Sequence, residues 1–398
     1  MRAGLRLLVA CYHTRLVGGA EAYLRSLLSL LRDQSVELAV LTRAADLPGT
    51  DGLIPDGIRW FSGAGQSPLE LVRTAANWNP SVVFTHGLGE PEFEEELAQR
   101  FPTVFYAHNY GGTCISGTKC HAFPAVQPCS RPLGPGCLAL YLPRRCGGLN
   151  PVIAVSAYRR ERRRQEALRS CRAVLVASQH MVDEVLRNGV PADRVHLVPL
   201  PATGIPDATP PETRSLSGRV LFVGRLTAIK GWRHLLDAVP KAATILGRTL
   251  TLVIAGDGPE RDMCEATARQ KGVAVEFLGW VDLDRRNAEM RAADVIVVPS
   301  IWPEPFGLIG IEAGCVGTPA VAYAVGGIPD WLVPGVSGEL APGERPNPSE
   351  LADAIVRALV NPEHLQRLRV GAWETARRFT PEAHLDRLIP ILEAAARS

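Results

Sequence analysis

The chain has 398 residues, with 43 Lys and Arg against 41 Asp and Glu, a formal net charge of +2. That length accommodates two domains with ample core, and the near balance of charge excludes a whole-protein attraction to nucleic acid. No apolar run approaches the ~18 residues of a membrane-spanning helix, and glycine and proline are dispersed rather than gathered into low-complexity tracts.

Arg2 and Arg6 precede LLVAC, but the run is short and no small-residue cleavage pattern follows it. We therefore expect a buried first strand at residues 5–13 rather than a signal peptide, and a cytoplasmic protein. Gly18 and Gly19 then make a turn that opens a helix near Ala20, with Leu24, Leu27, Leu28 and Leu31 on one face. Such a turn offers backbone N–H groups to a phosphate. Residues 36–43, 58–61, 81–87 and 103–109 read as further strands alternating with helix or loop, which predicts a parallel, doubly wound sheet. His108 ends the last of these strands and His86 the one before.

The pattern breaks at residues 111–150, where Cys114, Cys120, Cys129, Cys137 and Cys146 lie among prolines and glycines without a C-x-x-C. Three readings fit. The thiols are free under a loop; or four of them hold a structural zinc, with Cys114, Cys129, Cys137 and Cys146 as the set; or they form disulfides or an iron–sulfur site. A loop this poor in regular structure needs a staple or a partner. Residues 144–172 carry nine Arg and two Glu. Within them, 156–172 reads as a basic helix. It is either a solvated face or a contact for anionic lipid headgroups or a phosphate-bearing acceptor. Residues 173–201 read as strand, helix, loop and strand, and 200–217, rich in Pro, Thr and Ser, as a linker.

The second half opens with strand, loop and helix at 219–239. Arg225 and Lys230 lie on that loop, two cations before a helix start, which suits a diphosphate. The loop is not a Walker A motif, since no Gly precedes Lys230 and no Ser or Thr follows it. A second strand, a GDGPE turn and a helix follow, then a strand and turn at 275–282. The stretch at 297–327 reads VVPSIWPEPFGLIGIEAGCVGTPAVAYAVGG. Pro303 and Pro305 bias Glu304 toward extended backbone. A helix starting near Gly307 carries Glu312 about two turns on. Backbone N–H groups around Phe306, Gly307 and Leu308 then point at ligand oxygens, beside a carboxylate suited to hydroxyl groups. Residues 318–340 read as strand, glycine turn, short helix and loop, and 381–397 as a final helix. Strand ends followed by glycine turns and helix starts are where open α/β sheets bind ligands.

These motifs resemble family 4 of the retaining, nucleotide-sugar-dependent glycosyltransferases, which have the GT-B fold. The resemblance rests on E-x(7)-E after a P-S strand end, G-R-x-x-x-x-K-G at 224–231, GGAE at 18–21, and a Gly-Gly stretch in which Asp330 stands where Glu is usual. It covers nearly the whole chain, and the insert around 111–172 fits least. It implies two doubly wound Rossmann-like domains facing across a cleft. Residues 1–202 form the acceptor-side domain with the 111–150 insert, 203–217 the linker, 218–380 the nucleotide-sugar domain, and 381–398 a helix crossing back.

The resemblance also implies roles. Gly18, Gly19 and Glu21 touch the donor's phosphate or the acceptor, and His108 points at the donor sugar. Arg225 and Lys230 neutralise the leaving diphosphate, and Glu304 accepts bonds from sugar hydroxyls. Phe306, Gly307 and Leu308 present N–H groups, and Glu312 holds the ribose. The expected enzyme is a metal-independent, retaining, hexosyltransferase-like glycosyltransferase that needs no catalytic cofactor. Its donor is a UDP- or GDP-sugar and its acceptor a sugar or a lipid-linked group, in surface-polysaccharide or glycolipid assembly. Peripheral contact with the anionic inner face of the membrane is expected, and no nucleic acid. The alternative acceptor is a soluble metabolite or natural product. The rivals of other classes are a non-catalytic sugar-nucleotide-binding protein and a GT-B epimerase or phosphorylase.

Overall fold

The computed structural model describes residues 5–13, 19–32, 34, 36–43, 52–204 and 206–397; Gly18 lies outside them. The chain divides into two compact units, one of Met1–Lys119, Ser130–Thr203 and Pro381–Ser398, the other of Cys120–Cys129 and Gly204–Thr380.

Elements of the first half, in order, are β1 (Arg6–Cys11), α1 (Gly19–Arg32), β2 (Glu37–Thr42), β3 (Arg59–Ser62), α2 (Pro68–Trp78), β4 (Val82–Thr85), α3 (Pro91–Arg100) and β5 (Thr103–Tyr106). A small hairpin of β6 (Cys120–His121) and β7 (Gln127–Pro128) follows. Then come α4 (Gly136–Tyr141), α5 (Pro151–Ser170), β8 (Ala173–Val176), α6 (Gln179–Arg187) and β9 (Val195–Leu197). The first unit's sheet runs β3-β2-β1-β4-β5-β8-β9, and its strands pair in parallel. Its central strands, VVFT, TVFY and AVLV, are buried at every position. A sheet covered on both faces needs such unbroken apolar runs. Helix α1 turns Tyr23, Leu24, Leu27, Leu28 and Leu31 inward. Helix α2 begins at a capping box, Ser67 with Glu70, and has Pro68 in its first turn.

The second half continues with β10 (Arg219–Val223), α7 (Trp232–Leu246), β11 (Thr251–Ala255), α8 (Arg261–Lys271), β12 (Val275–Gly279) and α9 (Leu283–Ala292). After these come β13 (Val295–Val298), α10 (Leu308–Cys315), β14 (Ala320–Tyr323), β15 (Gly338–Ala341), α11 (Pro348–Ala358), α12 (Pro362–Ala376) and α13 (Pro381–Ala395). Its parallel sheet runs β12-β11-β10-β13-β14-β15. Leu385, Leu388, Leu392 and Ala395 of α13 share a buried cluster with Leu7, Val9, Val82 and Val104 of the first unit.

The doubly wound α/β reading therefore holds in both units. Strand order reverses between β1 and β4 in the first and between β10 and β13 in the second, the positions where such sheets open a crevice. Three details differ from the sequence reading. Residues 338–341 form an edge strand rather than loop, 136–141 of the insert are helical, and α5 starts at Pro151 rather than 156. Asn150 caps α5 by accepting from Val152 and Ile153, with Pro151 in its first turn.

Candidate functional site

In the second unit, the loops after β10, β13 and β14 meet beside the switch point. Backbone contact holds them: Ile301 N–H donates to the Ile229 carbonyl at 2.9 Å, and Gly327 N–H donates to the Glu304 carbonyl at 2.8 Å. Two glycines permit this approach. A Cβ at Gly231 would lie 1.8 Å from the Pro299 oxygen, and one at Gly326 would lie 2.0 Å from the Glu304 oxygen. The side chains then converge. Lys230 Nζ sits 2.6 Å from Glu304 Oε1 and 5.4 Å from the Trp302 ring centroid. Ser300 Oγ also donates to Glu304 Oε1. Glu304 is buried while Lys230 is partly exposed, so a ligand reaches the pair from the lysine side. Arg225 is exposed and makes no ion pair or side-chain hydrogen bond with a described residue.

Gly307 is the N-cap of α10, in left-handed backbone, and no side chain caps that terminus. The Phe306 carbonyl is fixed by Trp331 Nε1 at 2.8 Å. Phe306 is buried, and Gly307 and Leu308 are partly exposed. Glu312, buried inside α10, pairs with Arg286 of α9 at 3.2 Å. This part of the site thus holds cations, carboxylates and a helix N-terminus in one loop cluster, which suits a ligand carrying phosphates and hydroxyls.

In the first unit, Gly19 opens α1, and Glu21 lies in its first turn. His86 follows β4 and His108 follows β5; their rings meet, His86 Nδ1 to His108 Nε2, at 2.8 Å. Tyr106 stacks on His108 with ring centroids 4.5 Å apart, and Tyr23 packs edge-on to His108 at 5.4 Å. Tyr23 Oη lies 2.8 Å from His384 Nε2, and His384 Nδ1 lies 2.8 Å from the Pro199 carbonyl. A carbonyl only accepts, so His384 carries its proton on Nδ1 and Nε2 accepts from the Tyr23 hydroxyl.

Burial pushes the histidines down: His108 to about 3, His384 to about 4, and His86 well below its ordinary value. The positive charge each would place on its neighbours acts in the same direction for His86 and His108. The cluster is therefore neutral near pH 7. His108 offers a ligand a hydrogen bond rather than a charge, and its Nδ1 is the ring nitrogen not directed at His86.

Among the described residues no group of three or more His, Cys, Asp or Glu side chains is placed to hold a metal ion. Cys11, Cys114, Cys137, Cys171, Cys264 and Cys315 are free thiols. Cys114 Sγ accepts from Lys119 N–H at 3.3 Å. Cys137 points at the Pro132 carbonyl and Cys146 at the Leu140 carbonyl. The staple is electrostatic. Lys119, 1% exposed, pairs with Glu184 of α6, itself fully buried, and also donates to the Arg131 carbonyl at 2.6 Å. Leu133 N–H donates to Asn188 Oδ1 at 2.8 Å.

The basic helix also differs from expectation. Arg163 pairs with Glu92 and Glu95 of α3, and Arg164 with Glu94 at 2.9 Å and Glu161 at 3.0 Å. Arg163 and Arg164 thus hold α5 to the acidic α3. The first turns of α5 also expose apolar side chains: Val152 at 75%, Ile153 at 53% and Val155, with Leu149 at 65% just before them. Arg144, Arg145, Arg159 and Arg160 are exposed nearby in sequence.

The family model described as Glycosyl transferases group 1 matches residues 213–374, and that described as Glycosyltransferase Family 4 matches residues 17–202. The chain belongs to the family 4 glycosyltransferases. It is 36% identical over 215 residues to the 2-deoxystreptamine glucosyltransferase of Streptomyces kanamyceticus, a match covering 52% of this chain and 53% of that one. It is 32% identical over 229 residues to the D-inositol 3-phosphate glycosyltransferase of Xylanimonas cellulosilytica, again covering 52% and 53%. The chain thus spans about half the length of these curated relatives. Over 98% of its length it superposes with a TM-score of 0.67 and 18% identity on all of HepE from Anabaena, solved in complex with UDP and glucose. That likeness is one of fold.

Sequence reasoning missed several residues that shape the two clusters. Tyr23 and His384 are separated by most of the chain, and no local pattern links them. Arg286 lies on a charged helix where nothing marks it as the partner of Glu312. Trp331 follows the Gly-Gly turn at a fixed distance, and that spacing is the one signal available for it.

Proposed function

We propose that the chain transfers a sugar from a nucleoside-diphosphate sugar, a UDP- or GDP-sugar, to an acceptor hydroxyl with retention of anomeric configuration. The observation that carries this is the Lys230–Glu304 pair at the β10/β13 switch point, with the uncommitted Arg225 on the same loop. The donor's diphosphate takes Lys230 and Arg225, and Glu304 accepts from sugar hydroxyls. Glu312, paired with Arg286, accepts from the ribose. As the bond from the anomeric carbon to the phosphate oxygen breaks, negative charge grows on the departing diphosphate. Fixed cations and the α10 N-terminus oppose that charge without reorganising. The acceptor oxygen bonds to the anomeric carbon on the same face, and its proton passes to the departing phosphate oxygen. The positive charge in this scheme comes from side chains, and no base is assigned.

For the acceptor, the exposed Val152–Ile153 turn with its nearby arginines favours one presented at an anionic membrane, in polysaccharide or glycolipid assembly. The second reading is a soluble polyol, favoured by the relatives named for 2-deoxystreptamine and D-inositol 3-phosphate. The test of the donor site is Lys230→Ala. Turnover should fall by about 10²–10³, the scale for removing one charge-stabilising group. Unchanged kcat and KM would remove Lys230 from the mechanism, and donor binding without any turnover in the wild type would favour the non-catalytic reading.

A further inference from the structure

A cavity of about 370 Å³ in the second unit contains none of the residues assigned to the donor. Its walls are the extended segment 207–214, Arg291 at the end of α9, Val316, and Arg369 and Trp373 of α12. The extended wall is fixed in place. Trp373 Nε1 donates to the Asp207 carbonyl at 2.8 Å, and Gln366 Nε2 donates to the Pro211 carbonyl at 2.7 Å.

The charges in and behind these walls are mostly committed. Arg291 holds Asp207 in a two-armed pair, one arm at 2.7 Å. Asp294, fully buried behind the wall, accepts from Ser217 N–H, Ser217 Oγ and Gly218 N–H at 2.7–2.9 Å. Arg214 donates to the carbonyls of Arg291 and Ala293 and lies 3.8 Å from Asp294.

Arg369 is the exception. It is 5% exposed, and it makes no ion pair or hydrogen bond with any described residue. Its Nε and Nη1 are sealed from solvent without a partner, and so is Arg214 Nε. Burial and the like charge of Arg214 push Arg369 down to about 10, against the opposing field of Asp294. A guanidinium stays charged at neutral pH even so, and a desolvated charge without a partner is among the least favourable states in a protein interior. An oxyanion in the cavity would relieve it.

We propose that this cavity binds a small phosphate-bearing anion, free phosphate or the phosphate monoester of a polar metabolite, with Arg369 as its anchor and Arg214 beside it. Arg369 and Arg214 both line the cavity, and a guanidinium recognises a phosphate through paired N–H donors. The volume exceeds that of phosphate and fits a small ester. Pro210, Pro211 and Trp373 would flank its carbon skeleton, and Glu212, exposed, offers a carboxylate to its hydroxyls.

The proposal does not rest on the donor-site reading, and the test keeps them apart. The full chain is titrated calorimetrically with sodium phosphate, with a hexose 6-phosphate, and with the free hexose, at constant ionic strength in chloride. The expected result is saturable binding of phosphate or its ester and none of the hexose. It should persist in Arg225→Ala/Lys230→Ala and weaken at least about tenfold in Arg369→Met. Tighter binding of the ester identifies a metabolite as the ligand, and equal binding identifies the free anion. Should Arg369→Met fail to fold, Arg369→Lys keeps a cation but loses the fork, and the same tenfold weakening is expected there. No phosphate binding in the wild type, or equal binding in the foldable Arg369 variant, overturns the proposal. So does binding that vanishes with Arg225 and Lys230, since it then belongs to the donor site.

Discussion

Replacing His384 by Gln should remove much of the acid sensitivity of the first unit. His384 is 3% exposed and tied to Tyr23 and the Pro199 carbonyl. Burial holds its folded-state value at about 4, against 6.5 for an ordinary histidine. The folded value is the lower one, so as pH falls the unfolded chain takes up the proton first. Stability is complete above about pH 6.5 and drains away until about pH 4. Between about pH 7.5 and pH 5 the loss from this residue is about 1.5 pH units at 1.36 kcal/mol each, or ~2 kcal/mol. His108, pushed down to about 3, adds in the same direction. Its contribution is smaller than full burial would give, because the ring is partly open to solvent.

His384→Gln should cost about 1–3 kcal/mol at neutral pH through the lost Tyr23 bond. It should then lose ~2 kcal/mol less than wild type on acidification. For a unit of this size that is about 4–8 °C of difference in the Tm shift. Scanning calorimetry of both proteins across the range measures it. Parallel acid losses in the two proteins would refute the assignment of a buried, neutral His384.

Three further outcomes follow from named contacts. Gly310→Ala would place a Cβ 2.1 Å from the Trp331 ring, whose Nε1 fixes the Phe306 carbonyl. It should cost about 1–3 kcal/mol by urea unfolding and weaken nucleotide binding as well. Arg164→Ala breaks the pairs with Glu94 and Glu161 and should cost about 3–5 kcal/mol; a loss under about 1 kcal/mol would return those arginines to the solvated face. Val152→Ser/Ile153→Ser should reduce co-sedimentation with anionic vesicles while leaving the fold intact. Negligible binding of the wild type to anionic and neutral vesicles alike, at low and high salt, would leave the soluble acceptor ahead.

Much of the fold was legible because each unit's strands are unbroken apolar runs bounded by glycine turns, and the α1 stripe of Leu24, Leu27, Leu28 and Leu31 has helical spacing. The loops around Lys230 and Glu304 were legible for the same reason: proline, glycine and charge stand at fixed local spacing. What escaped was non-local. The Lys119–Glu184 pair spans 65 positions, and a buried ion pair leaves no periodic trace. In its absence the cysteines were the visible candidates for a staple. Arg163 and Arg164 looked like solvated surface because their counter-charges sit on α3, about 70 positions earlier. Reading α5 from 156 also cut off its first turn, where Val152 and Ile153 face solvent.

The most direct measurement is calorimetric titration of the full chain with UDP and with GDP, for wild type and for Arg225→Ala/Lys230→Ala. The expected result is saturable binding of at least one of the two nucleotides to the wild type, weakened at least about tenfold in the double variant. No binding of either nucleotide, or equal affinity in the two proteins, would contradict a nucleoside-diphosphate sugar held by Arg225 and Lys230.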